Sequence, residues 1–256
     1  MKKVWIAGHN GMVGSALLKV FLKKKNFKIL KIDKKKLDLR NQNDVKKWVK
    51  RNQPDIIINA AAKVGGIKHN ANFPANFIYD NLMISINIIN AAYKNKVKKL
   101  FNLGSACIYP KHCKQPIKEN YLLTGELEKT NEAYAIAKIA SLKTCEYYNK
   151  QLGTKYYSLQ PTNLYGENDN FDLNSSHVIP ALINKFYHAK INNEKSVEIW
   201  GSGKATREFM HVDDLANAIF FLSQKKMSNN VLNIGTGEEI SIRNLAKKIC
   251  KISNFK

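Results

Sequence analysis

Three side chains in this sequence are of the types that exchange a proton with a carbonyl oxygen. Tyr134 and Lys138 stand four apart in Tyr134-Ala135-Ile136-Ala137-Lys138, a spacing that projects both from one face of a helix. An ammonium close to a phenol lowers the phenol's pKa, which readies Tyr134 to hand a proton to a substrate oxygen as hydride reaches the carbon. Ser105 can donate a hydrogen bond to the same oxygen. The spacing alone also describes an ordinary solvated helix face. With the rest of the chain, the three groups describe a carbonyl reductase or its reverse.

A hydride needs a carrier, and the sequence offers a place for one. Gly8-His9-Asn10-Gly11-Met12-Val13-Gly14 follows the first predicted strand and opens the first predicted helix. Glycines there permit a tight turn and close approach of a pyrophosphate, whose charge meets the free N–H groups of a helix start. The spacing is G-x-x-G-x-x-G, so a dinucleotide is read from the strand–turn–helix context more than from the glycines. Asp33 ends the second predicted strand, where a carboxylate would accept a hydrogen bond from the adenosine ribose of NAD. Lys34, Lys35 and Lys36 follow at once and suit the 2′-phosphate of NADP equally. Asp38 and Leu39 are candidates for the adenine, or for a plain loop role.

These groups need elements to position them. The spacing predicts strands at Lys3–Ala7, Lys28–Ile32, Asp55–Asn59, Lys99–Leu103 and Lys155–Leu159, with helices near 12–25, 42–52, 76–95 and 132–151 between them. That alternation implies an α/β fold, with a parallel sheet covered by helices on both faces. Ser105 then lies just past the C-terminal end of the fourth strand, where open α/β sheets bind ligands. After Pro161 the rhythm changes. A polar, Asn-rich stretch leads to a helix at 179–189, a strand at Val197–Trp200, a Gly-Ser-Gly turn, a helix at 213–222, a strand at Val231–Ile234 and a helix after Ser241. The reading divides the chain into a dinucleotide domain, 1–162, and a smaller substrate lobe, 163–256, interleaved with the core sheet.

Composition narrows the function classes. Of the 256 residues 44% are hydrophobic, enough for a substantial core and unlike a disordered chain. The formal charge of +22 invites a nucleic-acid reading, yet only four of the 42 basic residues are arginines: Arg40, Arg51, Arg207 and Arg243. Base and phosphate recognition favours the bidentate guanidinium, so lysines scattered over most predicted helices read as compositional drift on solvated faces and not as a nucleic-acid surface, with a general attraction to anionic small molecules as the lesser reading. Cys107, Cys113, Cys145 and Cys250 form no C-x-x-C pair and are read as free thiols. His9, His69, His112, His177, His188 and His211 show no ligand spacing, so no metal is expected. No apolar run reaches the length of a membrane span or a signal-peptide core, so a cytoplasmic location and no membrane partner are expected.

The combination of Gly8–Gly14, Asn59-Ala60-Ala61-Ala62, Ser105 and Tyr134-x-x-x-Lys138 resembles the extended short-chain dehydrogenase/reductase family, whose members act on nucleotide-linked sugars. The segments Ala62–Ile67, Gly104–Pro110, Pro161–Gly166, Asn174–Pro180 and Trp200–Gly203 are similar to the branch that epimerises and reduces a GDP-linked 4-keto-6-deoxy sugar. The resemblance implies a Rossmann-like doubly wound sheet with a smaller C-terminal substrate-binding lobe. It also implies NADPH as cofactor with NADH left open, and a homodimer formed through the helices near 76–95 and 132–151. By the same resemblance Cys107 is the base and His177 the acid of a 3,5-epimerisation, a step that the neighbouring ketone assists by stabilising an enolate. Dehydratases usually carry an acidic pair just after the hydroxyl residue. Here those places hold Ala106 and Cys107.

The cofactor site so implied takes Gly8, Gly11, Met12, Val13 and Gly14 from the first turn, and Asp33, Asp38 and Leu39 from the second strand and its loop. It adds Ala60 and Ala61, then Tyr134 and Lys138, then Pro161, Asn163, Leu164 and His177. The substrate contacts are Asn163, Val178, Trp200 and Arg207. Arg207 suits diphosphate oxygens or a surface ion pair with Glu208 or Asp213, and Trp200 suits a nucleotide face or the lobe core. Two departures stand out: Asn10 occupies a place where the branch often has arginine, and members usually continue some tens of residues beyond Lys256, through a portion that completes the nucleotide site. A nucleotide-sugar epimerase with tightly held NAD, or a non-catalytic dinucleotide sensor, fits the same constellation.

Overall fold

A computed structural model describes residues 1–255. Nine strands are formed: β1 (Lys2–Ala7), β2 (Phe27–Leu30), β3 (Ile56–Asn59), β4 (Lys99–Leu103), β5 (Tyr156–Pro161), β6 (Asn163–Tyr165), β7 (Thr206–His211), β8 (Val231–Ile234) and β9 (Glu239–Ser241). Eight α-helices accompany them: α1 (Met12–Leu22), α2 (Gln42–Asn52), α3 (Ile67–Asn72), α4 (Pro74–Lys94), α5 (Glu132–Leu152), α6 (Val178–Ile191), α7 (Val212–Gln224) and α8 (Ile242–Ser253). The main sheet runs β2-β1-β3-β4-β5-β8 and every pairing in it is parallel.

Period-two alternation along β1 divides the core. Val4 and Ile6 face α1 and α7, joining Leu17, Phe21, Phe101, Leu159 and Ile219. Trp5 and Ala7 face the opposite layer of α2, α4 and α5, with Val45, Val49, Ile57, Ile89 and Leu100. Strands covered on both faces read as unbroken apolar runs, and all of Ile56-Ile57-Ile58-Asn59 is buried. Each such large apolar side chain contributes roughly 1.5–3 kcal/mol by leaving water. Local signals fix the ends of the covering helices: the Asn41 side chain caps α2 by accepting from Asp44 N at 3.2 Å, and Gly153, at φ +64°, stops α5.

The sheet order reverses between β1 and β3, so the loops at the C-terminal ends of those strands splay apart. That crevice is where a doubly wound sheet receives a dinucleotide. β4 and β5 lie next to it, which brings the loops after both strands to the same rim.

The second lobe contains a small sheet, β6-β7-β9, and the pair α6 and α8, which bury Ile179, Leu182, Phe186, Leu245 and Ile249 between them. Two elements of the stretch 163–256 return to the main layer. α7 packs on α1, and β8 extends the main sheet by pairing Ser158 with Val231 and Pro161 with Ile234. The expected strand at Val197–Trp200 is absent. Its alternation is real, since Val197 and Ile199 pack on the lobe core while Glu198 and Trp200 face outward. Its backbone, however, joins no ladder, and Glu198 O instead accepts from Lys185 Nζ at 2.9 Å. The lobe's strands lie at β6, β7 and β9, short and polar segments without a clear strand pattern.

Candidate active site

The glycine turn is shaped for close approach. Gly8 has φ +81°, a left-handed conformation open to glycine, and a Cβ there would stand 2.7 Å from the Ala61 backbone. A Cβ on Gly14 would stand 2.1 Å from Gly8 O, so the turn and the start of α1 close on each other. Gly11 caps α1 without a side-chain hydrogen bond, and the regular ladder begins with Ser15 N on Gly11 O at 2.8 Å. The N–H groups of Met12, Val13 and Gly14 therefore open the helix with no partner inside it, as a pyrophosphate requires. Ala60 and Ala61 follow β3 and form the opposite lip. The residues present fit a dinucleotide.

Past the end of β2, the Asp33 carboxylate accepts from Asn10 Nδ2 at 2.9 Å and lies 3.4 Å from His9 Nε2. Asp38, a candidate for the adenine or for a loop role, is engaged within the protein. Its carboxylate accepts from the Arg40 backbone N–H, Nε and Nη2, and Arg40 Nη1 reaches Asp80 on α4 at 3.0 Å. The guanidinium holds the Asp38 carboxyl down at about 2. Leu39 O accepts from Asn87 Nδ2 at 3.0 Å, and its side chain packs against the core. This stretch ties the β2 loop to α4.

Ser105, Cys107, Tyr134 and Lys138 come together at the rim. Ser105 follows β4 and caps a short 3₁₀ turn, Ala106–Ile108, its hydroxyl oxygen accepting from Cys107 N at 3.4 Å. Tyr134 and Lys138 lie on the inward face of α5, with the ammonium 5.5 Å from the phenol ring centroid. Lys138 is buried and donates to Leu103 O at 2.8 Å, which pins the last carbonyl of β4 to the helix. Tyr134 packs edge-on against Phe77 of α4 at 6.3 Å.

The protonation pattern differs from the one expected. Burial, with a contribution from Cys107, pushes the Tyr134 phenol up instead of down, and burial pulls Lys138 down to about 8. The Cys107 thiol is also raised by burial, although the Ser105 hydroxyl and the Lys138 ammonium pull it back. At neutral pH the cluster holds a protonated phenol, a protonated thiol and a mostly charged amine. A carbonyl entering it would meet two hydroxyl donors beside a cation.

His177 caps α6 on the facing lobe. Its own surface reaches solvent, yet the protein crowding the cleft around it lowers its pKa, with Asp169 acting in the opposite direction. No hydrogen bond among the described residues joins it to Cys107, which follows β4 on the main sheet. The lobes touch where Gly66 N donates to Ser175 O at 2.8 Å.

The expected substrate residues are spread over the second lobe. Asn163 is exposed at the start of β6, and its Nδ2 donates to Glu208 O at 3.0 Å. Pro161 is buried at the end of β5, and Leu164 and Val178 are half-buried. Trp200 is 66% exposed, outside the lobe core, with Lys185 Nζ 5.0 Å above its ring. Arg207 forms no carboxylate pair among the described residues and donates to Thr206 O at 2.7 Å. Glu208 turns instead to the backbone N–H groups of Thr236 and Gly237. Among the described residues no cluster of His, Cys, Asp and Glu could hold a metal ion, and no helix is long and apolar enough to cross a membrane.

Several residues that shape the site escaped the sequence reading. Gln160 Oε1 accepts from Ser105 N at 2.9 Å and lies directly beneath Gly104. Asn102 accepts from Asn59, the first residue of the Asn59–Ala62 motif, and donates to Ser141, inside the core below the cluster, at 3.0 Å each. The available signal was a polar residue inside an otherwise apolar strand.

Comparison with known proteins agrees with this geometry. The sequence matches the NAD dependent epimerase/dehydratase family over residues 4–235. The chain belongs to that family. A GDP-L-fucose synthase of Sinorhizobium fredii is 49% identical over 255 residues, covering 100% of this chain and 81% of its own. A GDP-L-colitose synthase of Yersinia pseudotuberculosis is 43% identical over 257 residues, covering 99% of this chain and 83% of its own. Among solved structures, a GDP-D-glycero-L-gluco-heptose synthase from Campylobacter jejuni, in the presence of NADPH, superposes with a TM-score of 0.92 at 37% identity. That match covers 100% of this chain and 86% of the other. The α/β fold with its parallel Rossmann-like sheet is that of these relatives.

Proposed function

We propose that this member of the epimerase/dehydratase family converts GDP-4-keto-6-deoxy-D-mannose to GDP-L-fucose, by epimerisation at C3 and C5 and reduction at C4. One observation carries the reading: a thiol, Cys107, shares the rim with Ser105, Tyr134 and Lys138 beside a turn shaped for a dinucleotide. Relatives named GDP-L-fucose synthase at 47–49% identity support the choice of sugar.

Cys107 Sγ, as thiolate, takes the proton from the carbon next to the ketone, and the carbonyl oxygen receives the electron pair as an enolate. His177, facing from the other lobe, returns a proton on the opposite face; burial lowers its pKa, which eases release of that proton, and Asp169 opposes the shift. A nicotinamide dinucleotide held by the Gly8–Gly14 turn and the Ala60–Ala61 lip would supply the hydride for C4. Tyr134 gives its hydroxyl proton to the C4 oxygen, and Ser105 Oγ donates a hydrogen bond to that oxygen. The Lys138 ammonium stabilises the phenolate left behind. Arg207, with its guanidinium clear of carboxylates, suits the diphosphate, while Asn163, Val178 and Trp200 line the sugar and nucleotide path. NADPH is the hydride donor by analogy with relatives solved with NADP or NADPH.

Incubation with the ketosugar and NADPH should oxidise the cofactor in step with a GDP-deoxyhexose product identified by mass spectrometry. Unconsumed NADPH with a folded protein sinks the proposal, and tightly bound NAD that is never consumed points to a simple epimerase. Cys107→Ser should reduce a pre-epimerised ketone yet lose solvent deuterium incorporation at C3 and C5. Equal loss of both steps argues against the division of labour. The outward faces of α4 and α5 carry Tyr79, Ile136 and Tyr147 exposed, and pairing two copies through them would cover these rings and side chains. Light scattering should then report a dimer mass, and a monomer would refute this pairing.

A further inference from the structure

Two short passages carry the chain directly from the main sheet to the small one. Pro161 ends β5 and Asn163 opens β6, with only Thr162 between them; Ile234 ends β8 and Glu239 opens β9, so residues 235–238 make the second crossing. Glu208, on the middle strand β7 of the small sheet, holds both. Its carbonyl oxygen accepts from Thr162 Oγ1 at 2.9 Å and from Asn163 Nδ2 at 3.0 Å. Its side-chain Oε1 accepts from the N–H groups of Thr236 and Gly237, the latter at 2.7 Å, and from Thr236 Oγ1 at 3.3 Å. Gly235 leaves the room this needs, since a Cβ there would stand 2.2 Å from Oε1. The crossings are also tied to each other, with Thr162 N donating to Ile234 O at 3.0 Å.

We infer that Glu208 is a positioning residue for the substrate: it clamps both crossings and so fixes how Asn163 and Arg207 are presented to the rim that carries Ser105, Tyr134 and Lys138. The inference rests on the substrate site proposed above and deepens it by naming what holds that site in place. Asn163 is hydrogen-bonded to Glu208 directly. Arg207 precedes it on β7, where successive side chains point to opposite faces, so a Glu208 turned to the crossings leaves the guanidinium on the other side, exposed. A carboxylate oxygen shared by consecutive backbone N–H groups makes charge-assisted hydrogen bonds that keep a loop in one geometry. With β5 and β8 paired in the main sheet and β7 paired to β6 and β9 in the small one, this one side chain and its carbonyl join the two sheets where they meet.

The test compares Glu208→Ala, Glu208→Gln, Gly235→Ala and the Glu208→Ala/Gly235→Ala double variant with the wild type. Two readouts are taken: reduction of the pre-epimerised ketone, and amide hydrogen exchange of peptides covering 161–166 and 233–240. Glu208→Ala should raise KM for the sugar about tenfold while kcat stays within about threefold, the pattern of lost ground-state positioning. Its NADP⁺ dissociation constant should not move, and exchange should quicken at both crossings. Glu208→Gln keeps an oxygen that accepts the same N–H groups and should hold KM within about threefold of the wild type. Gly235→Ala has no left-handed backbone to strain, so its methyl acts by displacing the carboxylate and should reproduce Glu208→Ala. In the double variant that methyl should cost nothing further. Should Glu208→Ala fail to fold, Gly235→Ala against Glu208→Gln makes the same comparison. Wild-type KM and exchange in Gly235→Ala overturn the inference, and so does a folded Glu208→Ala that loses NADP⁺ binding and kcat together. A wild type that does not reduce the ketone removes the proposed reaction instead, and exchange at the crossings then decides the clamp by itself.

Discussion

Lys138 holds its proton only weakly because burial disfavours its charge, and its donated hydrogen bond to Leu103 O does not restore the ordinary value. The sign of its contribution follows. Below about 8 the ammonium is present to stabilise the phenolate that forms as Tyr134 gives up its proton; above it that support is lost. The reduction rate on a pre-epimerised ketone should therefore fall as pH rises through about 8, and single-turnover absorbance of the reduced nicotinamide measures it. Cys107 predicts the opposite slope, since its thiol is raised and must ionise to act as base. Deuterium wash-in, followed with the oxidised cofactor so that reduction is silent, should grow as pH rises from neutral. A flat profile for both steps would remove these two groups from their roles. Gln160 gives a second residue-scale expectation. Its Oε1 fixes Ser105 N while its buried Nε2 has no partner among the described residues, so Gln160→Met removes one hydrogen bond and exchanges one unpaired donor, Nε2, for another, the Ser105 N–H. The melting temperature should change little, while kcat for reduction falls several-fold as the Ser105 hydroxyl loses its register. Unaltered kcat would show that the 3₁₀ turn holds itself.

At the scale of elements, the turn between β1 and α1 carries most of the consequence. Gly8→Ala would force an alanine to φ +81° and place its Cβ 2.7 Å from the Ala61 backbone. Left-handed strain costs about 1–2 kcal/mol by itself, and the clash must add to it by parting the two lips of the crevice. A lower melting temperature and lost dinucleotide binding in calorimetry are expected; wild-type values for both would mean that the lips do not meet. These same elements show what a sequence makes legible. β4 falls at Lys99–Leu103 as expected, and β3 and α2 agree to within a residue, because their apolar periods and caps are local. β7 was not visible, since four of the six residues of Thr206–His211 are polar and the segment is a strand only because β6 and β9 flank it. Val197–Trp200 fails for the converse reason: its alternation is local, whereas a ladder needs a partner at long range. The cluster residues carried chemical signals of their own. Gln160 and Asn102 did not, because a lone amide in a strand becomes meaningful only when the neighbouring strand or turn supplies its partner.

For the molecule as a whole, the chemistry proposed for two lobes depends on how they meet. Cys107 stands on the main sheet and His177 on the second lobe, so their relative placement is set by inter-lobe contacts and not by either lobe alone. Gly66 lies at that seam. Its N–H donates to Ser175 O, and a Cβ on it would stand 2.3 Å from Ser176 O, next in sequence to His177. Gly66→Ala leaves the main sheet intact and has no left-handed backbone to strain, so the added methyl must push the 175–177 loop away. The reductive cluster would be untouched, since Ser105, Tyr134 and Lys138 all come from the main sheet and α5. Deuterium exchange at the sugar should therefore drop by about tenfold or more, the cost of a displaced catalytic group. Reduction of a pre-epimerised ketone should keep its kcat. If both steps fall together, His177 and the cluster share one task and the lobes do not divide the reaction; if neither falls, the seam is loose enough to absorb a methyl group and some other contact sets the placement of His177.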